Sequence, residues 1–165
     1  TKHVCIIGAG PSGLPAIKNL IDAGISVVVK LNSDVGGNWI YNENESHSSV
    51  FETTHIISSK TLSQYEDFPF SPEVSDYPSH EELRSYFQSY AKYFGLYQHI
   101  EFNTLVKSCE RKDNGYWEVT TLKDKKKQVE IFTDLVVCNG HHWEPKYPNY
   151  PGKFSGKFLH SHHYK

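Results

Sequence analysis

The sequence predicts an α/β fold: a Rossmann-type parallel sheet with helices and an inserted antiparallel β-meander. Three observations predict it. A short apolar run closed by a glycine-rich turn leads into a helical repeat and then a β-branched run, the order of a βαβ unit. A capped amphipathic helix follows in mid-chain. Beyond it, polar-turn-separated strands end in one continuous apolar segment.

Val4 to Ile7 is apolar and stops at Gly8, and Pro11 to Ala23 repeats Leu14, Ile17, Leu20 and Ile21 at helical spacing until Gly24. Ile25 to Leu31 is rich in valine and reads as the second strand, joined to the first by a right-handed crossover. From Asn32 to Ser79 the chain is interrupted by Gly, Pro, Ser and Asn yet stays aromatic, so ordered loops lying over a ligand are expected there. Ser79 with Glu82 forms a capping box, and Leu83, Tyr86, Phe87, Tyr90 and Phe94 continue at helical spacing up to Gly95. Ile100 to Asn103 is the next strand. Leu105 to Arg111, Tyr116 to Leu122 and Gln128 to Thr133 make a meander, turned at Asp113-Asn114-Gly115 and at the Lys-rich stretch 123–127. Leu135 to Cys138 is uniformly apolar and ends in Asn139-Gly140, as expected of a parallel strand covered on both faces. The predicted sheet order is Ile100–Asn103, Ile25–Leu31, Val4–Ile7, Leu135–Cys138.

A chain of 165 residues has enough surface to bury the core of one such domain. Its net charge of -2 is spread without a basic face, which argues against nucleic acid. The three cysteines, Cys5, Cys109 and Cys138, share no CxxC spacing, so a disulfide framework is not expected and a reducing, cytoplasmic setting fits. No stretch nears the roughly 18 apolar residues of a membrane span, and the N-terminus opens directly into a strand pattern. His141, His142, His160, His162 and His163 cluster in sequence, but zinc needs ligands fixed at tetrahedral geometry by cysteines or carboxylates and these histidines lie within or beside the patterned segment 154–164, so no metal is expected. No serine stands in a GxSxG turn, which removes a hydrolytic triad.

Gly8-Ala9-Gly10-Pro11-Ser12-Gly13 fits GxGxxG between a strand and a helix. The physical requirements are a tight turn, close approach of backbone to a diphosphate, and close packing of helix on strand. The helix N-terminus adds free N–H groups and a partial positive charge. Gly8, Gly10, Pro11, Ser12 and Gly13 are therefore the expected phosphate cradle. The second strand of such a unit ends in an acidic residue that accepts from the adenosine ribose; here that place is Lys30, and an ammonium cannot accept. Two readings follow. Lys30 binds a 2′-phosphate and the site takes NADP, or, as we favour, the reversed charge only weakens FAD, so that Lys30→Glu would tighten it.

Gly36-Gly37-Asn38-Trp39 supplies two more glycines for close approach and a flat indole. With GAGPSG, this segment resembles the flavin-containing monooxygenase family. Phe154 to Tyr164 fits FxGxxxHxxxY, the signature of that family and of its Baeyer-Villiger relatives, and Tyr164-Lys165 resembles the flavin-containing branch. The resemblance implies FAD contacts at Gly37, Asn38 and Trp39, at Ile57 and Ser58 beside the flavin ring, at Val106, and at Gly140 in the strand-end glycine motif. Many members carry Asn where Ile57 stands, and Ile57 has no amide with which to bond the oxygenated flavin or the nicotinamide.

What the resemblance further implies is the FAD-binding part of an NADPH-dependent monooxygenase that oxidises soft nitrogen or sulfur in small molecules. Residues 1–165 would then be an incomplete FAD-binding domain, with the NADPH-binding domain absent from the chain and NADPH a cofactor of the full-length family. The strand at 135–138 would be left as an exposed edge open to pairing with another copy. The alternative is a non-catalytic or redesigned dinucleotide-binding module whose ligand choice is altered through Lys30.

Overall fold

The computed structural model describes residues 1–31, 33–44 and 47–165. Asn32, Glu45 and Ser46, all within the loop region expected at 32–79, lie outside the described residues. The chain divides into two compact units, Thr1–Gly37 with Ser85–Gly140, and Asn38–Arg84 with His141–Lys165.

The first unit holds both sheets. Strand β1 (His3–Ile7), helix α1 (Gly13–Asp22) and strand β2 (Ser26–Lys30) form the βαβ unit. Strand β3 (Ile100–Glu101) and, after the meander, β7 (Asp134–Val137) complete a four-stranded sheet ordered β3-β2-β1-β7, every pairing parallel. The meander is β4 (Thr104–Arg111), β5 (Trp117–Lys123) and β6 (Lys126–Phe132), paired antiparallel in that order. The predicted sheet order and meander are both present.

Alternation decides which residues face which layer. Cys5, Ile7, Val28 and Leu135 turn toward the meander and pack with Val119, Phe132, Val106, Cys109 and Trp117. Val4, Ile6, Val27 and Val29 turn the other way and are buried on the face where α1 packs through Leu14 and Ile17. The β5–β6 turn places Asp124 and Lys125 at φ 48° and 63°, the two left-handed positions of a type I′ hairpin.

Two expectations need correction. Leu135–Cys138 is outermost, as the predicted order has it, but is less covered on its faces than expected: Leu135 and Val136 are half-buried, and Val137 is 61% exposed. An apolar run marks burial somewhere along a strand and cannot tell a central strand from an edge. Ile100–Asn103 shortens to two residues because Asn103 adopts φ 54°, which leaves extended geometry.

The second unit is built mainly from loops. Helix α2 (Lys60–Ser63) is a single turn. Lys60 fixes it, with Nζ donating to the carbonyls of Pro72 (3.1 Å) and Val74, while the backbone N–H of Lys60 donates to Asp76 (2.8 Å). Ile56 N–H donates to Pro78 O (2.9 Å) and the His80 ring bonds the carbonyl of Glu52 (3.0 Å). The region expected to be ordered loops is ordered by these backbone bonds. Helix α3 (His80–Tyr93) begins with the predicted capping box. Ser79 N–H donates to Glu82 Oε2 (2.9 Å) and Glu82 N–H donates to Ser79 Oγ (3.2 Å). Glu82 Oε1 also accepts from the N–H and hydroxyl of Ser75, both at 3.0 Å.

Candidate functional site

Between β1 and α1 the chain has almost no room for side chains. A Cβ on Gly8, at φ 96°, would overlap the Cys138 carbonyl oxygen, and a Cβ on Gly13 would overlap the carbonyl oxygen of Gly8. Gly13 is therefore what lets α1 start directly against the strand end. Gly10 meets another glycine: a Cβ on it would lie 3.4 Å from Gly37 Cα, and one on Gly37, at φ 61°, would lie 3.0 Å from Gly10 Cα. Gly36 N–H donates to Ala9 O at 3.1 Å, which ties the two glycine segments together.

Pro11 and Ser12 are exposed at the top of this turn, while Gly10 and Gly13 are buried. Ser12 occupies the N-cap with no side-chain capping bond; Leu14 N–H donates to Gly10 O at 3.1 Å and Pro15 carries no N–H, so the amides of Ser12 and Gly13 are the ones placed to meet an external acceptor. A bare backbone concavity at a helix N-terminus has the shape and polarity for a dinucleotide diphosphate. The surrounding thiols add no charge: burial pushes Cys5 up to about 12, and raises Cys138 and Cys109 as well.

Of the other expected contacts in this unit, Val106 is half-buried against the Cys5–Val119–Phe132 cluster, just before a β-bulge between Val106 and Ser108. Gly140 is exposed at φ 75° with open space around it.

Lys30 has partners that its sequence position does not disclose. In register with Glu101 on β3, it turns to the meander face, where its side chain is fully buried. Nζ donates to Glu101 Oε2 at 3.1 Å and to Glu130 Oε2, and stands 5.8 Å from the Phe132 ring centroid. Lys123 Nζ stands 3.9 Å from the same oxygen of Glu101. A buried ammonium needs such pairing to offset its lost hydration. The side chain lies in the protein interior, paired with both carboxylates.

In the second unit, Asn38 and Trp39 continue the short 3-10 turn Gly37–Trp39. The Asn38 side chain clasps the loop after it, Oδ1 accepting from Ser49 N–H (2.9 Å) and Ser49 Oγ (3.1 Å). Ser48 Oγ donates to Asn38 O (2.5 Å), and Lys165 Nζ donates to Ser48 O (2.6 Å). Burial lowers the Lys165 ammonium below its ordinary range. Tyr164 meets Phe51 edge to face at 5.2 Å. Tyr164, which ends the signature, and Lys165 after it thus anchor the segment 48–51 that Asn38 clasps, a link that no local pattern announces. Ser58 Oγ and Ser63 Oγ are 2.7 Å apart, and Ile57 is 98% exposed, an apolar side chain held out by ordered backbone.

Comparison with known proteins agrees with this arrangement. The chain is 35% identical over 175 residues to Flavin-containing monooxygenase 5 of Rattus norvegicus, covering 99% of this chain and 33% of the relative. It is 38% identical over 192 residues to Flavin-containing monooxygenase FMO GS-OX-like 3 of Arabidopsis thaliana, covering 100% of this chain and 43% of the relative. The solved S-allyl-L-cysteine S-oxygenase from Allium sativum superposes with a TM-score of 0.93 at 29% identity, over 99% of this chain and 42% of that one. The chain therefore spans between a third and a half of these relatives. The flavin-binding monooxygenase-like family profile matches residues 1–165, the whole chain, and the chain belongs to that family.

Proposed function

We propose that this chain forms the FAD-binding part of an NADPH-dependent monooxygenase that oxidises soft sulfur or nitrogen in small molecules. The observation that carries the reading is the glycine cradle, where a Cβ on Gly8 or Gly13 would overlap a backbone carbonyl and Gly10 and Gly37 pack backbone against backbone. Bound FAD would supply the redox and oxygen chemistry. The stretch Gly10 to Gly13 would hold its diphosphate, the donors being the N–H groups of Gly10, Ser12 and Gly13 since Pro11 has none, and Gly37 would keep the approach clear. Val106 and Gly140 are retained as further cofactor contacts. Asn38, Trp39, Ile57 and Ser58 keep the flavin-end role that the family resemblance gives them, with Ile57 contributing apolar surface and no hydrogen bond.

The soft-atom substrate is supported by the garlic relative, an S-oxygenase by name. The alternative of a module with ligand choice altered by Lys30 loses its support, since that ammonium is held by two carboxylates. Adding FAD to the apoprotein and removing unbound flavin by gel filtration tests the proposal. A yellow protein with one FAD per chain is expected; colourless protein and free flavin would refute it. NADPH consumption with sulfoxide or N-oxide product, measured on the full-length protein, tests the reaction itself.

A further inference from the structure

Lys30 leaves the end of β2 without an acceptor, and the neighbouring strand end provides one. Glu101 is in register with Lys30 on β3, and in-register residues of parallel strands project to the same face. Among the described residues its carboxylate is met through Oε2, by Lys30 at 3.1 Å and Lys123 at 3.9 Å. A carboxylate has about four acceptor positions, so Oε1 keeps its capacity, and the side chain is 35% exposed where that of Lys30 is 0%. The strand end is held in place by Leu31 N–H, which donates to Glu101 O at 3.1 Å. With Lys30 turned inward and Lys123 on the Oε2 side, the acceptor left at this end of the sheet is Glu101 Oε1.

We propose that Glu101 is the carboxylate that accepts the adenosine ribose hydroxyls, replacing the acidic residue that β2 lacks. It makes the site select dinucleotides with a free 2′-hydroxyl over 2′-phosphorylated ones, because a phosphate beside Glu101 meets like charge. The inference rests on the FAD reading above.

The test is calorimetric titration of wild type, Glu101→Gln and Glu130→Gln with FAD, FMN, ADP-ribose and 2′-phospho-ADP-ribose. Glu130→Gln also removes one carboxylate from Lys30 and so reports a purely structural loss. Glu101→Gln is expected to weaken FAD and ADP-ribose about tenfold or more, the loss of a charged hydrogen bond, with FMN unchanged. Glu130→Gln is expected to lower the melting temperature and leave FAD affinity as in wild type. Wild type should prefer ADP-ribose to its 2′-phosphate, and Glu101→Gln should narrow that preference. Should Glu101→Gln not fold, Glu101→Asp keeps the charge Lys30 needs while drawing the carboxylate back, and the same loss is expected of it. FAD affinity unchanged in the Glu101 variants, or lowered equally in both Gln variants, would overturn the assignment while leaving the FAD reading intact. A wild type that binds neither FAD nor ADP-ribose would overturn both.

Discussion

Gly10 and Gly37 stand backbone against backbone, so close that a Cβ on Gly37 would come within 3.0 Å of Gly10 Cα. The turn after β1 and the glycine pair after β2 are therefore one continuous surface, pinned by the Gly36 to Ala9 hydrogen bond of 3.1 Å. Two motifs that look independent in sequence answer a single steric demand.

Alanine substitutions grade that demand. Gly24→Ala, at φ 72° with nothing within 4 Å, should cost about 1 kcal/mol for the left-handed backbone alone. Gly37→Ala combines φ 61° with the contact to Gly10 and should cost about 2 kcal/mol or more. Gly13→Ala, whose Cβ would meet fixed backbone, should cost about 3 kcal/mol. Chemical denaturation reads all three, and equal costs would contradict the steric account.

Lys30→Glu should destabilise the fold. It would set a third carboxylate against Glu101 and Glu130 at a fully buried position, and breaking a buried pair in this way costs on the order of 3 to 5 kcal/mol. This replaces the sequence-based expectation that the substitution tightens FAD. Lys30→Met, which leaves the two half-exposed carboxylates to water, should be the milder change. A Lys30→Glu protein as stable as wild type would show that the lysine is not held inside.

Much of the architecture was legible because its signals are local. The strand order followed from apolar runs and their turns, and the α3 start from Ser79 and Glu82, which bond each other as expected. Lys30 was not legible: a charged residue at a strand end gives no sign of which face it takes, and its partners lie 71 and 100 residues away. The edge position of β7 was legible in the predicted order, but the exposure of Val137 was not, since an apolar run carries no sign of which residues a neighbouring layer covers. The link from Lys165 to Ser48, across 117 residues, pairs a side chain with a backbone carbonyl, which every residue carries, so sequence has nothing to match.

Acid should loosen the start of α3. The N–H groups of Ser75 and Ser79, followed by their hydroxyls, hold the Glu82 carboxyl down from 4.5 to about 2. A carboxyl lowered on folding contributes stability that is complete above its unfolded value and is lost as pH falls through the folded one, here between about 4.5 and about 2. Glu82→Gln should lower stability at neutral pH by about 1 kcal/mol or less and flatten this part of the acid profile. Identical pH dependence in the two proteins would disprove the assignment.

The outer strand β7 presents Val137 at 61% exposure beside a backbone edge with no partner strand among the described residues. An apolar edge of this kind templates pairing with another strand. Light scattering of this 165-residue chain should show mass rising with concentration, and Val137→Lys should suppress the rise. A monomer at every concentration would contradict it.

The most direct test of the whole account is a crystal structure of the chain with FAD bound. The account predicts both phosphates against the backbone of Gly10 to Gly13 at the start of α1, bonded by the N–H groups of Gly10, Ser12 and Gly13, with the adenosine ribose hydroxyls bonded to Glu101. Phosphates bound anywhere else, with the glycine turn left bare, would contradict it.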